Sequence, residues 1–212
     1  RKTDMHFMLP LYEWGVTQVI DENGYPRVER KHIKEEYLAA IERYRVATKE
    51  ISIQLGVQWN PQARETHRIL VHHLRVPVEG RAASGEPRQG REDLFANVYL
   101  FDNSDLFYQI YPGESYSLER EKQSAAYAHA VARTILEFGI KADVIQAHES
   151  YAGFMPFIIR NHPDFREQEI FKKSAFIAFS HSMIATTIPK YSQENNWILG
   201  LDGVEGVAWE KI

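Results

Sequence analysis

Asp143-Val144-Ile145-Gln146-Ala147-His148-Glu149-Ser150 runs directly into Tyr151-Ala152-Gly153-Phe154-Met155-Pro156-Phe157. A short apolar strand ends in a His-Glu pair, and a helix begins where the strand stops. Upstream, Ser117 can cap a helix with Glu119 and Glu121 in its first turn, where negative charge suits the helix dipole. Its apolar face runs through Ala125, Ala128, Val131, Ala132, Ile135 and Leu136, and Gly139 is placed to end it. Residues 94–101 form an apolar strand that delivers Asp102-Asn103. Downstream, a helix over 153–160 breaks near His162-Pro163, and strand 174–179 delivers Ser180-His181-Ser182. Strand, loop, helix, strand, helix, strand predicts an α/β Rossmann-like domain: a mostly parallel sheet with flanking helices and right-handed crossovers.

The earlier half reads differently. Residues 5–10 form a strand stopped by Pro10, and residues 21–26 are a turn. Ile33, Tyr37, Ile41 and Tyr44 recur at spacings of three and four, which predicts an amphipathic helix over 31–50. Residues 51–59 alternate apolar and polar before Asn60-Pro61, and 68–76 are β-rich. Together they predict an antiparallel hairpin added to the sheet. His72 and His73 are adjacent on that strand, so they point to opposite faces, and a partly exposed strand is the expected setting. Residues 79–93 are polar and rich in Gly and Arg, and are expected to be a mobile surface loop. The tail after Ile188 has no firm assignment.

The composition is that of an ordinary globular chain: 212 residues, 44% hydrophobic, 25% charged, formal net charge −4. That charge gives no general pull toward nucleic acid or anionic membrane. With no cysteine, disulfides, thiolate metal sites and a cysteine nucleophile are excluded. No apolar run approaches the ~20 residues that span a bilayer, and no signal peptide is visible. The expected location is the cytoplasm, or the plastid stroma for a plant protein. Nucleotide-binding glycine fingerprints, a P-loop, H-E-x-x-H and a G-x-S-x-G elbow are absent, and the histidines lack metal-ligand spacing.

Three strand ends therefore carry the candidate chemistry: Asp102-Asn103, His148-Glu149 and Ser180-His181. In one parallel sheet all three would lie on a single rim, where a sugar or phosphate could sit between them. Each residue taken singly also has a capping role open to it, since helix starts demand such side chains.

The segment Ala142-Asp143-Val144-Ile145-Gln146-Ala147-His148-Glu149-Ser150-Tyr151-Ala152-Gly153 resembles the P-D-V-V-H-A-H-D-W-H-A-G signature of bacterial glycogen synthases and plant starch synthases. Val98-Tyr99-Leu100-Phe101-Asp102-Asn103-Ser104-Asp105-Leu106-Phe107 resembles that family's V-Y-L-I-D-N-P-x-L-F segment. Phe176-Ile177-Ala178-Phe179-Ser180-His181-Ser182 is similar to V-F-T-V-H-N, and Met8-Leu9-Pro10-Leu11-Tyr12 to the L-P-x-Y strand end. The resemblance implies the N-terminal, acceptor-side half of a retaining glucosyltransferase with two Rossmann-like domains. Such an enzyme moves glucose from a nucleotide-glucose such as ADP-glucose to an α-1,4-glucan. Residues 1–190 would form that domain, incomplete at its start, and 191–212 a tail or linker toward a second Rossmann-like domain absent from this chain.

By position the resemblance implies His181 and Glu149 as catalytic residues, and His148, Asn103, Asp102 and Ser180 as substrate-binding. No cofactor is expected, because the nucleotide-glucose is a substrate; the implied partners are that donor and the glucan acceptor. Gln146 replaces the first motif histidine, Glu149 the aspartate, Ser150-Tyr151 the Trp-His, and Ser182 the final asparagine. No Gly-Gly pair matches the family's K-x-G-G-L loop. The isolated chain is accordingly expected to lack turnover. The alternatives are a non-catalytic carbohydrate-binding or assembly module of the same fold and an α-glucan phosphorylase-like domain.

Overall fold

A computed structural model describes residues 4–57, 60–78, 94–109, 118–148 and 155–179. The chain divides into two units, one of Arg1–Glu50 with Leu70–Ile110, the other of Ile51–Ile69 with Tyr111–Ile212. The expected boundary near residue 190, and the loop expected over 79–93, lie outside the described residues.

In the first unit, β1 (His6–Pro10) is followed by a two-stranded ribbon, β2 (Trp14–Ile20) and β3 (Pro26–His32). The predicted turn closes that ribbon. Asp21 Oδ1 accepts from the amides of Asn23 and Tyr25 at 2.9 Å each, and Gly24 takes φ +83°, a conformation that L side chains rarely adopt. Gly15 in β2 has its own reason: a Cβ there would stand 2.9 Å from Ile33 Cδ1.

Helix α1 (Lys34–Tyr44) is shorter than the predicted 31–50 at both ends. Residues 31 and 32 complete β3, and the chain turns from Tyr44 straight into β4 (Arg45–Val57). The β-branched Val46 and Thr48 favour a strand, and packing rather than periodicity fixes the end of the helix. Strand β5 (Asn60–Pro77) already includes Asn60-Pro61. β4 passes from the first unit into the second after Glu50, and β5 returns after Ile69.

β6 (Phe95–Asp102) sits inside a four-stranded sheet of order β1-β6-β5-β4. It runs parallel to β1, with Pro10 opposite Phe101, and antiparallel to β5, with Leu70 opposite Asp102. Period-two alternation puts Leu74 and Val76 of β5 and Val98 and Leu100 of β6 on one face. Tyr37, Ala40, Ile41 and Tyr44 of α1 pack on that face together with Leu11.

In the second unit, α2 (Leu118–Glu137) buries most of its circumference through small residues, including Ala125, Ala126, Ala128, Ala130 and Ala132. It ends as the sequence predicts. Gly139 takes φ +62°, its amide bonds Leu136 O at 3.1 Å, and Ile140 N bonds Ile135 O at 2.9 Å. β7 (Val144–His148) follows, then α3 (Met155–Asn161), α4 (Pro163–Arg166), α5 (Glu169–Lys173) and β8 (Ala175–Phe179). α2 packs on α3, and α3 on α4. β7 and β8 pair in parallel, from Val144 opposite Ala175 to His148 opposite Phe179.

The expectation of one sheet rim for all three strand ends is corrected here. Both sides of β6 are occupied, by β1 and β5, so β7 cannot pair beside it. Among the described residues β7 and β8 form a sheet of their own. The chain thus carries a mixed sheet containing a parallel pair, a separate parallel pair, and helices.

Candidate functional site

The carboxyl end of the parallel pair β1–β6 is the first place where polar groups gather. Leu11 N continues the ladder to Phe101 O at 2.8 Å. Asn103 builds the exit from β6: its Oδ1 accepts from the amides of Asp105 and Leu106 at 3.0 Å each, and its carbonyl accepts from Phe107 N at 2.8 Å. That turn carries Leu106 and Phe107 into the interior.

Asp102 is the hub of a charged cluster on the face that α1 covers. His72 Nε2 lies 3.7 Å from its Oδ2, and Lys34 Nζ lies 3.8 Å from its Oδ1 while donating to Ser104 Oγ at 3.1 Å. Thr48 Oγ1 and His72 Nδ1 share a 3.0 Å hydrogen bond. The His72 ring beside it, with Lys34 adding its charge, holds the Asp102 carboxyl below the usual carboxylate range, although burial works the other way. Elements β4, β5, β6 and α1 are thereby tied at one point.

His72 and His73 face opposite ways on a strand that is partly exposed; His73 is half-buried, whereas His72 is only 9% exposed. His73 stacks on Tyr99 with ring centroids 4.6 Å apart, and shares a 3.0 Å hydrogen bond with Asn97. His6 stacks on Tyr99 from β1 at 5.8 Å, and burial lowers the pKa of its imidazole. Lys34 and Thr48 were not singled out by sequence pattern, and His72 stood out there only as one of two adjacent histidines, because only the β5–β6 register brings His72 to Asp102.

The carboxyl end of β7–β8 is the second place. His148 closes β7 in an exposed position, and its ring stacks on that of its register partner Phe179 at 5.2 Å and 20°. Sequence adjacency therefore attaches Glu149 to one strand end and Ser180-His181 to the next. Glu149, Ser180 and His181 themselves lie outside the described residues. Ser174, one residue before β8, has its Oγ within hydrogen-bond distance of Ala142 O (2.6 Å) and Ile170 O (2.8 Å), so its single proton is shared between them at the start of the pair. The structure thus puts Asp102 and Asn103 on one strand end and His148 on another, in different sheets and different units.

Among the described residues no group of three or more His, Asp or Glu side chains is placed to hold a metal ion. No described helix is long and apolar enough to cross a membrane. A family model described as the starch synthase catalytic domain matches residues 35–209, a span that runs from α1 through β8 and beyond. No curated protein and no solved structure matches the chain.

Proposed function

Because the chain belongs to the starch synthase catalytic domain family, we propose that it forms the acceptor-side part of a retaining glucosyltransferase. The reaction would transfer glucose from a nucleotide-glucose to the nonreducing end of an α-1,4-glucan. The observation that carries this reading is the parallel β7–β8 pair inside the matched span, whose last register pair is His148 and Phe179. The two strands end side by side at His148 and Phe179, and in sequence Glu149 and Ser180-His181 come directly after them; a sugar gripped by more than one such group would be held in a fixed orientation.

In this proposal His181 and Glu149 act on the reacting glucosyl unit, and His148 and Ser180 hold its hydroxyls. Donors and acceptors fixed before the reaction would stabilise the oxocarbenium-like charge and the departing diphosphate. Asp102 and Asn103 line the acceptor side, with the contacts described above setting the shape of that strand end. Residues 1–190 act as one acceptor-side domain, and the diphosphate is neutralised by groups of a second domain. The chain alone accordingly binds maltooligosaccharides weakly, binds nucleotide poorly, and gives no sustained transfer.

The test is calorimetric titration of the purified chain with maltoheptaose, ADP-glucose and UDP-glucose, alongside a transfer assay onto glycogen. Millimolar maltoheptaose binding that weakens in His148→Ala supports the proposal. Absence of glucan binding, or nucleotide-sugar binding without any glucan binding, refutes it.

A non-catalytic glucan-binding module is the second reading, favoured by Gln146, Glu149 and Ser150-Tyr151 at the motif positions. It predicts that restoring the motif with Gln146→His and Glu149→Asp leaves transfer at zero even in a longer polypeptide carrying a donor domain. Restored transfer there would favour the enzyme.

A further inference from the structure

Trp14 begins β2, four residues beyond the last residue of β1. It therefore lies at the carboxyl end of the parallel β1–β6 pair, the edge where α/β sheets take ligands. Its backbone is held from two sides. In the ribbon it is the register partner of His32, and on the other side its amide donates to Tyr108 O at 2.9 Å in a bridge with Gln109. A third bond anchors the same spot, since Ile33 N donates to Glu13 O at 3.0 Å. The indole leans on the His32 ring in an edge contact, with centroids 5.1 Å apart and planes 80° apart.

After that contact Trp14 is still 41% exposed. A tryptophan left in water usually collapses onto nearby apolar surface, because burying it is favourable. Here the backbone bonds hold the main chain, the His32 contact supports one edge of the ring, and much of the residue stays accessible. A fixed aromatic surface loses little entropy when a ligand arrives.

The surrounding chemistry selects the ligand. A glucopyranose unit offers a flat patch of C–H groups on one side and hydroxyls around its rim. The indole matches the first, and the neighbouring His32 ring, exposed to solvent, can exchange hydrogen bonds with the second. We propose that Trp14 is a stacking platform for a glucosyl unit of the α-glucan acceptor. This inference rests on the glucan-acceptor reading above. Trp14 precedes residue 35, where the family match begins, so the match itself does not assign it this role.

The experiment is maltoheptaose titration of the full chain, its Trp14→Ala and Trp14→Phe variants, and a Tyr25→Ala control. Tyr25 is 70% exposed at the far end of the same ribbon, about 20 Å away along a seven-residue strand. It therefore tests whether any exposed aromatic of the ribbon suffices. Expected are about a tenfold loss of maltoheptaose affinity in Trp14→Ala, near-parental affinity in Trp14→Phe, and no change in Tyr25→Ala. The circular dichroism melt of Trp14→Phe confirms that the ribbon is intact.

Equal affinity of the parent and both Trp14 variants overturns the inference while leaving the glucan reading standing. An equal loss in Tyr25→Ala overturns it too, because the effect would not belong to this position. No binding by the parent removes both. A shift of the parent from dimer to monomer on Trp14→Ala, with glucan affinity unchanged, would assign the ring to a second copy of the chain and overturn the proposal.

Discussion

Thr134 and His162 show how single side chains in the second unit carry opposite energetic signs. The Thr134 hydroxyl is fully buried in α2 and finds no partner among the described residues. An unmade buried hydrogen bond costs about 1–3 kcal/mol, so Thr134→Val, which keeps the shape and removes the hydroxyl, is expected to raise stability by up to about 1 kcal/mol. Urea unfolding checks this, and a lower midpoint would sink it. His162 does the reverse: as the N-cap of α4 its Nδ1 accepts from Asp164 N at 3.2 Å, which requires the neutral ring. Burial lowers its pKa, with Asp164 opposing and Arg133 and Arg64 assisting, so the folded form binds its proton less readily than the unfolded chain does. Stability then rises with pH, and it falls on acidification once the unfolded histidine begins to protonate, near pH 6.5. His162→Asn retains the cap acceptor and has no proton to take up. Its thermal midpoint should fall less than the parent's between pH 7 and pH 5.

Among the elements, α2 and β6 have the clearest dependence on particular positions. Gly139 lets α2 end with both terminal carbonyl bonds made, at φ +62°. Gly139→Ala forces a Cβ into the left-handed region and is expected to cost about 1–2 kcal/mol, read as a lower urea midpoint with an unchanged slope. β6 depends on the cluster at its end. Asp102 has a depressed pKa, so its contribution is present at neutral pH and disappears as the pH falls below the ordinary carboxylate range and through its lower folded value. Asp102→Asn should destabilise the chain by about 1 kcal/mol at pH 7. The difference from the parent should shrink below pH 4; a difference constant from pH 7 to pH 3 would show that charge is not the cause.

Across the whole molecule, the candidate polar groups are divided between two units. The first unit ties the β1–β6 rim with Asp102, His72 and Lys34, while the second presents His148 on the β7–β8 rim. If the acceptor is held by Trp14 in one unit and the reacting sugar by His148 in the other, Trp14→Ala and His148→Ala should lower glucan affinity independently. In a double-mutant cycle their free-energy changes would then add within about 0.5 kcal/mol, and strong coupling would argue against separate subsites. Much of this architecture was legible in the sequence. The apolar runs of β1, β6, β7 and β8, the turn from Asp21 to Gly24, the glycine stop of α2 and the opposed faces of His72 and His73 all follow from local sterics and period, which act within a few residues. The family was legible as well, because the His148-Glu149 segment and its neighbours stand in order along the chain. Pairing was not legible: the true end of α1, the Trp14–His32 contact, the meeting of His72 with Asp102, and the exclusion of β7 from the sheet of β6. Each depends on register between distant strands. A register is chosen by the total packing and hydrogen bonding of the folded chain, and a one-residue slip would reverse every face without altering the local pattern from which strands are read.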